Sequence, residues 1–199
     1  MWRKIAGLAF AGLVLASLAS SGAFADRCVT KTADGDMVNP LSGGGQPGQL
    51  CSCGSDCFCE TWTPDSTEYC LKEALVGGKA RLERRFVFLN VPAGTQYLSY
   101  TGRKGGTESF SFLFNIDTIC SSAPNLPCAS FNLYSAIPGA TINSTTPVSN
   151  TVALGLTTTS PTNIYVLVRD DGPNTNDTNL DQVFLDYMAI ETDPCPVGP

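Results

Sequence analysis

From Ser109 to Ile116 apolar and polar side chains nearly alternate: Phe110, Phe112, Phe114 and Ile116 fall on one face, Ser109, Ser111 and Asn115 on the other. A period of two marks a half-buried β-strand, because successive side chains of an extended chain point to opposite sides. Similar runs recur at Arg85 to Val91, Gln96 to Thr101, Phe131 to Ser135, Thr151 to Leu156, Ile164 to Arg169 and Val183 to Ile190. Turn residues separate them: Pro92 to Gly94, Gly102 to Gly106, Pro138 and Gly139, Ser160 and Pro161, and Asp171 to Pro173. Many short strands at regular spacing predict a sandwich or barrel rather than βαβ units. One stretch, Thr67 to Leu75, is a helix candidate that Gly77 and Gly78 stop early.

The first 25 residues break this pattern. Arg3 and Lys4 lead an apolar run from Ile5 to Ala19, and Ala23-Phe24-Ala25 offers a small-x-small cleavage site. The run is too short to span a bilayer comfortably, so residues 1–25 read as a cleaved signal peptide. No cysteine follows in a lipobox setting, and no second segment approaches membrane-spanning length, so the mature protein is expected to lack a membrane span. The organisation that follows is a cysteine-rich N-terminal segment at 26–59, a sandwich domain at 60–192 and a C-terminal tail at 193–199. The expected location is periplasmic, extracellular or at the cell surface.

Charge narrows the partners. The chain carries 12 basic and 18 acidic residues, a net charge of −6, and the signal segment takes two of the basic ones with it. Nucleic acid needs clustered Lys and Arg, so it is not an expected partner. The nine cysteines all follow the signal segment, which reads as an oxidising compartment. Cys51, Cys53, Cys57 and Cys59 lie within nine residues, and Cys70 follows. Thiolates so spaced can wrap a soft metal ion, but after an export signal a disulfide knot is the favoured reading. Cys120 and Cys128 bracket a loop with two prolines, where a local disulfide would contribute roughly 2–3 kcal/mol. Cys28 and Cys195 lie near the mature ends and are candidates to pin the knot to the sandwich. The odd total leaves one thiol for burial, a ligand role or an inter-chain bond, hence a homo-oligomer.

A second constellation is acidic. Asp170, Asp171, Asn174, Asn176, Asp177, Asn179 and Asp181 fall within twelve residues between two strands. Ca2+ takes six to eight hard oxygen ligands from a flexible loop, and this loop offers them. It is not an EF-hand, since the glycine comes too early and no Glu closes the site. A plain polar turn is the competing reading, because Asp, Asn and Gly are favoured turn residues.

The stretch Tyr165-Val-Leu-Val-Arg-Asp170, its nine-residue turn and Leu180-Asp181-x-Val183-x-x-Asp186 resemble the closing strands of jelly-roll modules of secreted bacterial proteins. Those modules resemble calcium-stabilised carbohydrate-binding modules. Upstream, Tyr69-x-Leu71-x-Glu73, Leu82-Glu83, Phe86-x-Phe88 and Val91-Pro-Ala-Gly94 are similar too, so the match runs from about Tyr69 to Glu191. The resemblance implies an all-β, jelly-roll-type antiparallel β-sandwich, here preceded by a small disulfide-rich segment. It also implies that Asp170, Asp181 and Asp186 order the sandwich edge through structural Ca2+. With Asp171 and Asp177 of the acidic loop added, the candidate metal ligands are Asp170, Asp171, Asp177, Asp181 and Asp186. One departure is Gly172, where the family often carries a second Asp. The Cys51–Cys59 cluster has no counterpart in the modules it resembles.

The chain has no histidine, which removes Ser-His and Cys-His catalysis. A glycosidase needs two convergent carboxylates, and no local arrangement among Glu60, Glu68, Glu73, Glu83, Glu108, Glu191 and the aspartates singles out a pair. Ser42 to Gly45 lacks the Lys and Ser/Thr of a phosphate loop. No enzyme and no organic cofactor are therefore expected. A glycan binder would use aromatics, and Trp62, Tyr97, Tyr100, Tyr134, Tyr165 and Tyr187 are available, although strand tyrosines mostly serve packing. The expected function is recognition of an extracellular ligand, plausibly a glycan or other surface component. The alternative is a disulfide-linked structural subunit of an envelope or fibre. Asn143-Ser-Thr145 and Asn176-Asp-Thr178 are formal glycosylation sequons.

Overall fold

Thirteen strands build the described part of a computed structural model, which comprises residues 27–38, 49–50, 61–116, 134–171 and 178–196, with backbone alone at 35–38 and 49–50. They are β1 (Cys28–Thr32), β2 (Gly35–Val38), β3 (Gln49–Leu50), β4 (Tyr69–Lys72), β5 (Ala74–Val76), β6 (Lys79–Arg81) and β7 (Glu83–Val91). After them come β8 (Gly94–Gly105), β9 (Phe110–Asn115), β10 (Ser135–Ile142), β11 (Val148–Thr158), β12 (Thr162–Asp170) and β13 (Gln182–Asp193). One sheet runs β11-β8-β13-β4-β3, with β1 also on β13; the other runs β10-β9-β12-β7-β2, and β5-β6 is a separate hairpin. All pairings are antiparallel. The molecule is a β-sandwich. Strands from residues 28–50 are built into both sheets.

The alternation in the sequence reappears as the core. Leu98 and Tyr100 of β8, Val183, Leu185, Met188 and Ile190 of β13, and Tyr69 and Leu71 of β4 face inward from one sheet. Phe86 and Phe88, Phe110 and Phe112, and Ile164, Val166 and Val168 face them from the other. Tyr69 meets Phe86 edge-on at 5.9 Å and Tyr100 meets Phe112 at 4.5 Å. Each such buried side chain stabilises the fold by roughly 1.5–3 kcal/mol. The Tyr100 hydroxyl, carried deep into this layer, accepts from the Thr141 N–H at 3.1 Å and lies 3.2 Å from its carbonyl.

Three local expectations are corrected. Thr67 to Leu75 is not helical: Tyr69 and Leu71 are buried alternately with Cys70 and Lys72, and β4 pairs with β13 from Leu185↔Tyr69 to Gln182↔Lys72. Sheet burial outweighs helix propensity there. Gly102 to Gly106 is not all turn, because β8 continues to Gly105. Gly102 is needed in the strand itself, since a Cβ there would lie 2.6 Å from the Phe184 carbonyl oxygen. Pro138 and Gly139 likewise lie inside β10, in a bulge between Ala136 and Thr141. Residues 131–133 of the expected strand before it, and the signal segment at 1–25, lie outside the described residues. The edge strands β10 and β11 each carry a bulge glycine at positive φ, Gly139 at 78° and Gly155 at 69°. Bulges of this kind discourage edge-to-edge pairing.

The chain ends are joined. Cys28 and Cys195 form a disulfide across a sequence separation of 167, which the loop-entropy model values at about 4–5 kcal/mol. Cys70 is also disulfide-bonded. Cys51, Cys53, Cys57, Cys59, Cys120 and Cys128 lie outside the described residues.

Candidate metal centre

Three carboxylates from distant parts of the chain converge at one end of the sandwich. Glu73 sits between β4 and β5, Glu108 between β8 and β9, and Asp170 ends β12. Each offers an oxygen lying within 4.8 Å of the others'. Glu73 is 0% exposed and Asp170 3%. Each of these two is anchored through one oxygen only: Glu73 Oε2 accepts from the Asp181 N–H at 2.7 Å, and Asp170 Oδ1 accepts from the Leu82 N–H at 3.1 Å. Glu73 Oε1 and Asp170 Oδ2 are buried without a hydrogen-bond partner. A buried, unpartnered carboxylate oxygen is costly, more so beside like charge. The nearest cation is Arg81, whose guanidinium is 4.0 Å from Asp170 Oδ2.

The electrostatics follow. Burial pushes the Glu73 carboxyl up to about 7; the Asp181 N–H opposes the shift, and the Asp170 and Asp181 charges add to it. Burial also raises Asp170, against the pull of the Leu82 N–H and Arg81.

Asp181 supports this centre as a brace. Its Oδ2 accepts from the N–H groups of Thr107 at 2.7 Å and Glu108 at 2.6 Å, and from the Thr107 hydroxyl at 3.2 Å. Its carboxylate lies against Gly106, where a Cβ would approach Oδ1 to 2.2 Å. Gly106, at φ 124°, therefore lets Asp181 hold the turn from which Glu108 reaches the cluster. The Asp181 carbonyl in turn accepts the Glu73 N–H at 3.0 Å.

The donor set fits a hard divalent cation. It is all oxygen, and two ligands on a Ca2+ coordination sphere with bonds of about 2.3–2.6 Å are at most about 5 Å apart. The two oxygens lacking partners are the atoms such an ion would satisfy.

Of the five aspartates proposed from sequence, the four that are described take different positions. Asp170 belongs to the cluster and Asp181 braces it. Asp171 is exposed, accepts from the Ser111 hydroxyl and donates its N–H to the Ser109 carbonyl at 2.9 Å. Asp186 Oδ1 accepts from the N–H groups of Asp65 at 3.2 Å and Ser66 at 2.8 Å. Asp177 lies outside the described residues. Glu73 and Glu108 escaped the sequence reading because they are far from the acidic loop. The available signals were an acid leading into the apolar run Ala74 to Val76, as Glu73 does, and an acid just past Gly105 and Gly106.

No family model matches the chain, and no curated protein matches it. Among solved structures it is similar to a point mutant of the family 29 carbohydrate-binding module CBM29-2 complexed with cellulohexaose, at 11% identity and TM-score 0.39, over 85% of this chain and 92% of that one. It is also similar to TmCBM61 in complex with β-1,4-galactotriose, at 10% identity and TM-score 0.38, over 82% and 86%. A third structure comes from work on endo-acting O-glycanases of the human gut microbiota, at 9% identity and TM-score 0.36, over 81% and 99%. Likeness at these TM-scores carries no argument about function.

Proposed function

We propose that this chain is an exported, non-catalytic sandwich module that recognises an extracellular glycan, with Ca2+ on Glu73, Glu108 and Asp170 locking its two sheets. The single observation behind the ion is the pair of buried carboxylate oxygens, Glu73 Oε1 and Asp170 Oδ2, that have no partner. The bound ion would supply the positive charge and the remaining coordination these oxygens require. It would tie the loops after β4 and β8, strands of the six-stranded sheet, to the end of β12 in the other. Export is supported by the Cys28–Cys195 disulfide, which joins the two ends of the described chain. The glycan part is supported by the sequence resemblance over Tyr69 to Glu191.

The experiment is twofold. Thermal unfolding in Ca2+ and in EDTA tests the ion, and equal melting temperatures would remove it. Binding to a panel opening with cellohexaose and β-1,4-galactotriose, the sugars named for the modules above, tests recognition. No binding to any glycan, together with covalent oligomers on a non-reducing gel, would transfer the protein to the structural-subunit reading.

A further inference from the structure

Asp186 holds a bulge that changes which way β13 points its side chains. Phe184 and Tyr187 are three residues apart, so in a regular strand they would face opposite sides. The register shift between Leu185 and Tyr187 reverses the alternation. As a result Leu185 and Met188 both enter the core, while Phe184 stacks on Arg103 and Tyr187 pairs with Thr101 on the outer face. The Asp65 and Ser66 N–H groups on Asp186 Oδ1 pin the bulge. Bulges next to binding sites commonly re-aim a side chain in this way.

The outer face of β8 and β13 that results is organised. Tyr97 lies opposite Glu191, Ser99 opposite Ala189, Thr101 opposite Tyr187 and Arg103 opposite Phe184. The strip from Tyr97 to Arg103 is about 20 Å long at the usual strand rise. Its outer rings are braced. The Arg27 guanidinium lies 4.7 Å from the Tyr97 ring centre and its Nε is 2.9 Å from Glu191. Arg103 lies 3.8 Å from the Phe184 ring centre and bonds Glu68 through two nitrogens at 2.7 and 2.6 Å. Hydroxyl pairs run alongside, Ser99 with Thr151 at 2.7 Å and Thr101 with Ser149 at 2.8 Å. Ser99 and Ala189, in the middle of the strip, are buried, so the pair open to a partner is Thr101 with Ser149, which uses one proton and leaves a second donor and several lone pairs.

We infer that this strip is the sugar-contacting surface and that it takes a neutral oligosaccharide chain. The inference rests on the glycan reading above and deepens it. The half-buried Tyr97 ring, held by the Arg27 guanidinium, loses little freedom when a ligand contacts it, and the half-buried Tyr187 ring stands on the same face. The open hydroxyl pair matches the donor-and-acceptor chemistry of sugar hydroxyls. Charge selects the class: on a chain of net charge −6, both arginines of the strip are paired with Glu191 and Glu68, so neither is left free to attract an anionic glycan. Asp186 acts as a positioning residue for Tyr187.

The test compares the full mature chain with Tyr187→Ala, Tyr187→Phe, Tyr97→Ala and Asp186→Ala, measuring cellohexaose and polygalacturonate binding by calorimetry and the Ca2+-dependent melting shift in parallel. Expected are tenfold or greater weakening of cellohexaose binding by Tyr187→Ala and Tyr97→Ala, and near-native binding by Tyr187→Phe. Asp186→Ala should weaken cellohexaose binding at least threefold while its Ca2+ shift stays native. Native-like affinity in both alanine variants at the tyrosines overturns the placement and leaves the glycan reading standing. Preference for polygalacturonate overturns the neutral class, and a native chain that binds no glycan removes both the reading and this surface.

Discussion

The acidic centre and the Tyr97–Phe184 strip use the same charged groups in opposite ways. At the centre, carboxylates are gathered where water is excluded, and two of their oxygens have no partner. On the strip, Arg27 and Arg103 lie beside Glu191 and Glu68 at 2.6–2.9 Å in half-exposed positions, each arginine also covering a ring. Buried like charge is unstable until something arrives to compensate it; paired surface charge is complete as it stands. On the reading proposed above, the first region would gain stability from an ion, whereas the second would meet a ligand with charges already paired.

The largest expected effect breaks the first region. Asp181→Ala removes an acceptor shared by two backbone N–H groups, at about 3–5 kcal/mol, and should lower the melting temperature by about 10 °C. Differential scanning calorimetry checks this, and a fall below about 2 °C would mean that Asp181 is no brace. Next comes the ion itself. Saturating Ca2+ at 100 times its dissociation constant contributes about 2.7 kcal/mol, so EDTA should lower the midpoint by roughly 5–10 °C. That shift should vanish in Glu73→Gln, and its persistence there would take Glu73 out of the ligand set.

A smaller effect sharpens the contrast through pH. Glu73 is raised from 4.5 to about 7 by burial, so the folded ion-free protein holds a proton that the unfolded chain has released. Its stability contribution is full below about pH 4.5 and is lost as pH rises through about 7. In EDTA the melting temperature should fall over that window by the equivalent of at most about 3 kcal/mol, and Glu73→Gln should flatten the fall. A profile that rises over the window in EDTA would contradict the burial argument. The smallest effect belongs to the strip: Arg103→Met should cost less than about 1 kcal/mol, read as a midpoint change of no more than about 3 °C.

Much of the sandwich was legible because alternation and turn chemistry are local. Phe110 and Phe112, or Ile164, Val166 and Val168, announce their inward face within one strand. The failures were local too: Thr67 to Leu75 read as a helix candidate, and only the pairing of β4 with β13 makes its core a strand; Gly102 read as a turn until the Phe184 carbonyl lay against it. The metal centre was half legible. Asp170 and Asp181 stood out in an acid-rich turn, but the same turn offered the exposed Asp171, and the resemblance offered Asp186 of β13. Composition cannot tell a ligand from a brace or a bulge pin.

By itself the sequence determined an all-β chain with ample cysteine, no histidine and acidic residues enough for a hard cation. Those properties belong to single residues and near neighbours, and they are carried along the chain unchanged. Only the tertiary structure decided that Glu73, Glu108 and Asp170 meet, that Asp181 holds them in place, and that Asp186 turns Tyr187 outward. These depend on which strands pair, in which register and with which bulge, and a one-residue shift of register reverses the face of every side chain beyond it.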